Sequence, residues 1–92
     1  MSATLTVRHP VQDYAAWREV YDGPDVAALH AKHGVTNARV GRNPGDGNDV
    51  LVSHDFESVD AAQGFAGDPE LPAVMEKAGI AGTPQIAIFE LV

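Results

Sequence analysis

Four histidines and a short run of aromatic residues carry the chemistry open to this chain. His54 and His9 are the leading general-base candidates, because a free imidazole titrates near ~6.5 and exchanges a proton at neutral pH. Each sits in an alternating apolar/polar stretch, and parity puts both on the apolar face. They do not form a dyad: on antiparallel neighbouring strands they are offset by four residues, on the order of 13 Å at ~3.4 Å per residue. The structural alternative is a strand-end imidazole bonded to backbone or water, and the adjacent Pro10 favours it for His9. Tyr14, Trp17 and Tyr21 recur at i, i+3 and i+7, a helical stripe that either lines a slot for a flat aromatic molecule or packs its helix on a sheet.

Other polar groups read as structural. His30 and His33, at i and i+3, have a spacing that can share a metal, but two ligands do not make a site, and histidines in a last helical turn suit the helix dipole. No metal site is expected. Arg8 and Asp55 fall on the opposite sheet face, as an ion pair or as solvated charges. The glycines of segment 41–47 precede no helix and no lysine, which marks a hairpin turn rather than a phosphate loop.

These residues belong to one domain of 92 residues. A chain this short buries only ~60–65% of its unfolded surface, so stability is thin without a partner. Thirteen acidic against six basic residues give a net charge of −7, which argues against nucleic acid and anionic membrane. Without cysteine there are no disulfides, thiolate metal sites or cysteine nucleophiles. The first strand begins almost at once, leaving no signal-peptide pattern, and apolar runs such as Ile86–Phe89 are far too short to span a bilayer. A cytoplasmic protein is the expectation.

The elements that must position the site follow from periodicity. Ala3–His9 alternates as a strand ended by Pro10. Asp13 is placed to cap a helix over Tyr14–Asp22. Gly23-Pro24 interrupts it, Asp25 restarts it, and Gly34 suits a left-handed C′ position. Val35–Arg42 reads as a second strand, Asn43–Asn48 as a long flexible hairpin loop, and Asp49–Phe56 as a third strand. Ser58 caps Val59–Ala66, Asp68-Pro69 opens a helix over Pro69–Ala78 that Gly79 stops, and Gln85–Leu91 closes the chain as a strand.

This β-α-β-β-α-β order is an α+β architecture. A right-handed crossover sets strands one and two parallel with a gap, strand three fills the gap, and strand four pairs on the free side of strand one. Helices cover the face bearing Leu5, Val7, Val50, Val52 and Phe56. The far face holds Leu51 and half of the last strand among Thr4, Thr6, Arg8, Ser53 and Asp55; an isologous homodimer would cover it, the alternative for so polar a face being a solvated open sheet.

The runs VRHPVQDYAAWREVYD, HGVTNARVGRN and HDFESVDAAQGFAGDPELPAVMEKAGI resemble the dimeric α/β-barrel superfamily of ferredoxin-like proteins. In particular they resemble the small bacterial antibiotic-biosynthesis-monooxygenase-like proteins often labelled cyclases. The resemblance spans nearly the whole chain and implies a ferredoxin-like fold and a homodimer. The superfamily holds cofactor-free oxygenases, polyketide cyclases, haem-degrading enzymes and muconolactone isomerases. The Asn-Trp-His set of the haem-degrading members is absent from the later helices, where Trp17 does not lie. The Tyr and His of the plant cyclases fall on Phe65 and about Leu71, neither of which moves a proton.

The resemblance therefore implies a cofactor-independent monooxygenase-like enzyme acting on an aromatic or polyketide-like compound. His54 would be its base, with His9 second, and Tyr14, Trp17, Tyr21, Val52, Phe56 and Phe65 would form the pocket. The alternative is a non-catalytic homodimeric module that binds a small apolar molecule or fills the pocket with its own side chains.

Overall fold

The computed structural model describes residues 1–92. In chain order the elements are β1 (Ala3–Pro10), α1 (Tyr14–Tyr21), α2 (Pro24–His33), β2 (Asn37–Asn43), β3 (Asp46–Phe56), α3 (Val59–Ala66), α4 (Glu70–Lys77) and β4 (Gln85–Glu90). The four strands form one sheet in the order β2-β3-β1-β4, with every neighbouring pair antiparallel. This is the order that the crossover argument predicts.

Capping behaves as the sequence suggests. Asp13 accepts a hydrogen bond from the Ala16 N–H at 3.0 Å, and Ser58 Oγ accepts one from Ala61 at 3.1 Å. Each satisfies a backbone donor that the first helical turn leaves free. Gly34 ends α2 at φ 70°, a left-handed conformation that a side chain would strain.

The hairpin differs from expectation. There is no long loop: β2 and β3 meet in a two-residue turn, Pro44-Gly45, with Asn43 paired to Asp46 and a bulge between Arg42 and Asn43. The turn formers supply its bonds. Asn43 Oδ1 accepts from the Gly45 N–H at 2.8 Å, and Asp46 Oδ1 accepts from Asn48 at 3.0 Å. β2 also starts at Asn37 rather than Val35, because Val35 closes the α2 terminus by donating its N–H to the His30 carbonyl. α4 starts one residue after Pro69, and Asp68 Oδ1 accepts from Glu70 at its first turn.

Strand parity sorts the sheet into two faces. Ala3, Leu5, Val7, Val50, Val52 and Phe56 are buried beneath the helices, with Leu29, Ala62, Phe65 and Leu71 packed against them. On the far face Thr4 pairs with Phe89, Thr6 with Ala87 and Arg8 with Leu51. Phe89 is 56% and Leu51 47% exposed, so this face carries open apolar area. Arg8 does not pair with Asp55. Its guanidinium donates two bonds to Asp49, at 3.1 and 2.8 Å, and these hold the Asp49 carboxyl down at about 2. No helix is long and apolar enough to cross a membrane.

Candidate functional site

A cavity of about 50 Å³ lies between the helix-covered sheet face and the helices. Its floor is Val7 and Val52, which face each other across β1 and β3. Trp17, Val20 and Tyr21 of α1 and Val26, Leu29 and His30 of α2 form the opposing wall, and Phe65, Leu71 and Met75 close one side. The position of α1 is fixed from the hairpin. Asn48 Oδ1 accepts from the Tyr14 N–H at 3.0 Å, and the Asn48 carbonyl accepts from Val11 at 2.8 Å. The same strand that carries His54 therefore sets where Trp17 and Tyr21 sit.

Three of the four histidines reach this cavity: His9, His30 and His54. His54 is 4% exposed, and its Nε2 lies 2.9 Å from the Tyr21 hydroxyl. Its Nδ1 is sealed from solvent with no partner. His30 meets it edge-on, with ring centroids 4.7 Å apart, and the His30 Nε2 is likewise buried and unpartnered. His9 is 3% exposed, packs on Trp17 at 5.7 Å, and has no partner at either ring nitrogen. No backbone or side-chain group of the chain bonds to either His9 ring nitrogen.

Electrostatics follow from burial. His54 is pushed down to about 4, first by desolvation and then by the neighbouring His30. Desolvation also lowers His9 and His30 and raises the Tyr21 phenol to about 12. At neutral pH all three imidazoles of the cavity and the phenol are uncharged. Two tautomers satisfy the contact: Tyr21 donates to Nε2, or the Nε2–H donates to Tyr21 Oη. The second leaves the Nδ1 lone pair free to take a proton, the arrangement a general base needs.

Aromatic rings join these groups into a ladder. Trp17 stacks on Tyr21 at 4.9 Å, Tyr21 lies parallel to His54 at 6.1 Å, and Phe65 meets His54 edge-on at 5.2 Å. Of the residues expected at the pocket, Trp17, Tyr21, Val52 and Phe65 line it. Tyr14 and Phe56 do not. The Tyr14 ring is covered by the Arg42 guanidinium at 4.2 Å, and Phe56 lies in the core beside Phe65 at 5.5 Å.

His30 and His33 part company despite their shared helix. His33 Nε2 and Lys32 Nζ both contact the buried Asp68 carboxylate, at 2.7 and 2.9 Å, and together hold that carboxyl well below its usual range. His30 turns into the cavity instead. The sequence signal for it was present but weak: His30 follows Leu29, and Val26–Leu29–His30 is the i, i+3, i+4 stripe of α2. No group of three or more His, Cys, Asp or Glu side chains is placed to hold a metal ion.

No family model matches the chain, and no curated protein matches it. Solved structures do match in shape. SnoaB from Streptomyces nogalater, a cofactor-independent oxygenase, superposes with a TM-score of 0.77 at 17% identity, over 99% of this chain and 93% of its own. The ActVA-Orf6 monooxygenase of Streptomyces coelicolor, in complex with nanaomycin D, gives 0.74 at 20% identity over 99% and 88%. A dimeric Bacteroides fragilis protein of unknown function and ferredoxin-like fold gives 0.69 at 19% over 98% and 96%. The fold is ferredoxin-like, as in the antibiotic-biosynthesis-monooxygenase-like proteins. Within this ferredoxin-like chain the histidine cavity lies between sheet and helices, on the face opposite the exposed Leu51 and Phe89.

Proposed function

We propose that this protein binds a flat, neutral phenolic or polyketide-like molecule in the histidine cavity and oxidises it with O₂, using neither metal nor flavin, with His54 as the base. One observation carries the reading: a fully buried imidazole, oriented by Tyr21 through one nitrogen, keeps its other nitrogen unpartnered in an apolar cavity. A buried polar atom without a partner costs about 1–3 kcal/mol, so such an atom at a cavity wall points to a ligand that completes it. The fold shared with SnoaB and ActVA-Orf6 supports the oxygenase class.

The chemistry runs through the residues in view. Neutral His54 accepts the phenolic proton at Nδ1, and Tyr21 Oη accepts the bond from Nε2–H of the imidazolium. Burial makes His54 a weak base on its own, and the phenolate forming beside it supplies the opposing charge that stabilises the protonated ring. The carbanion form of the phenolate passes one electron to O₂, and the radical pair combines at carbon. The peroxide anion recovers the proton from His54. Loss of water then leaves a carbonyl, with one oxygen atom in the product and one in water. Trp17, Val52 and Phe65 keep solvent off the anion.

A volume of about 50 Å³ is well below the ~300 Å³ at which ligand pockets begin. A phenol therefore enters only when the Trp17–Tyr21 wall lifts from the valine floor. The same small volume favours a second reading, a non-catalytic ligand-binding module whose pocket is largely filled by its own aromatic rings. In both readings the protein is a homodimer closed over Leu51, Ala87 and Phe89, a reading supported by the dimeric Bacteroides neighbour. Incubation with hydroquinones and naphthols under ¹⁸O₂ separates the two. The enzyme reading expects one labelled oxygen per product molecule, and binding without O₂ consumption leaves the module.

A further inference from the structure

The cavity has a second polar end that the reaction at His54 does not use. His9 is 3% exposed, lines the same cavity, and has both ring nitrogens without a partner. Its nearest aromatic neighbour is Trp17, which offers a ring face rather than an acceptor at this separation of 5.7 Å. In the sheet His9 pairs with Val50 while His54 pairs with Leu5, so the two histidines stand four register steps apart on one face. Between them lie the paired Val7 and Val52 below and the rings of Trp17 and Tyr21 above, the Tyr21 hydroxyl being taken up by His54. A neutral imidazole carries one N–H donor and one lone pair, and both are left open at His9.

We infer that His9 is a second anchor, which selects elongated two-ring aromatic ligands carrying a hydroxyl or carbonyl oxygen at each end, one held at His54 and one at His9. Four residues at ~3.4 Å separate the two backbone positions by ~13 Å, and side chains standing on the same face carry about that spacing to the imidazoles. A hydrogen bond of ~2.8 Å at each end leaves ~7 Å between the ligand oxygens, the scale of hydroxyls at opposite ends of fused bicyclic rings. The ligand is uncharged, because the lining holds neutral imidazoles, the Tyr21 phenol, the Trp17 indole and hydrocarbon, and no cation to offset an anion. This selection rests on the ligand-binding reading of the cavity and adds to it which shapes are preferred.

Calorimetric titration with naphthalene-2,6-diol and with 2-naphthol tests the anchor, since the two differ only in the second hydroxyl. The diol is expected to bind about tenfold more tightly, the worth of one buried hydrogen bond, and His9→Leu should erase that preference, bringing the two compounds to equal affinity. Equal affinities for diol and mono-ol in the natural protein would overturn the second anchor while leaving the ligand-binding reading standing. Binding of neither compound would overturn both. Should His9→Leu fail to fold, ¹⁵N spectra of the natural protein give the same answer. The His9 ring nitrogens must shift with the diol and stay in place with 2-naphthol, and a His9 signal unmoved by the diol rejects the anchor.

Discussion

The Tyr21 hydroxyl lies 2.9 Å from His54 Nε2, and the two rings are parallel within 9°. The pair joins the end of α1 to the C-terminal end of β3, and it leaves His54 Nδ1 as the unpartnered ring nitrogen. Tyr21→Phe strips His54 of its only partner and frees its tautomer. The expected cost is about 1–3 kcal/mol in stability, read by urea unfolding. Turnover should fall between roughly tenfold and a hundredfold, since orientation of the base is lost while the base itself remains.

The same burial gives a pH signature. His54 is held at about 4 in the folded chain against ~6.5 when unfolded, so between these values the unfolded chain binds a proton that the folded one refuses. Stability is therefore complete above pH ~6.5 and declines as pH falls toward about 4, by roughly 3 kcal/mol at most for this residue. His9 and His30 are lowered too and act in the same direction. Asp49, held at about 2, titrates below this window. His54→Leu should flatten the slope of unfolding free energy between pH 4 and 6.5, measured at matched ionic strength.

Much of this arrangement was legible in the sequence, because period two and period 3.6 are properties of single segments. Alternation in Ala3–His9 and Asp49–Phe56 placed His9 and His54 on the covered face, and their separation followed from antiparallel pairing. What lay beyond reach depended on distant partners. Tyr14 belongs to the same helical stripe as Trp17, yet its ring lies under the Arg42 guanidinium of β2 and outside the cavity lining. His30 and His33 look equivalent at i and i+3, but Asp68, 35 residues after His33, captures only the latter. Asn43, Asp46 and Asn48 are all turn formers and by type alone mark a long loop, whereas Asp46 and Asn48 lie within β3.

Trp17 is 3% exposed and stacks on Tyr21, so it carries much of the wall over the cavity. Trp17→Ala should cost about 3–5 kcal/mol, a large share of what a chain this small can hold. The void it leaves is apolar. Indole added to the variant should therefore raise its unfolding midpoint by mass action, and by more than it raises that of the natural protein.

The far sheet face bears Phe89 opposite Thr4, with Leu51 two strands away beside Arg8. Two chains of 9.7 kDa closed over this face should give a dimer mass by light scattering at micromolar concentration. Phe89→Asp places a charge in the contact and should shift the mass to that of one chain without altering the fold seen by circular dichroism. A single-chain mass for the natural protein would remove the dimer.

Oxygen consumption by the natural protein and by His54→Leu, side by side on the best phenol from the ¹⁸O₂ screen and with metals chelated, bears on the central claim most directly. The substitution should lower the rate by about a hundredfold or more while ligand affinity changes only a few-fold. Equal rates in the two proteins would contradict it, since no proton would then pass through His54.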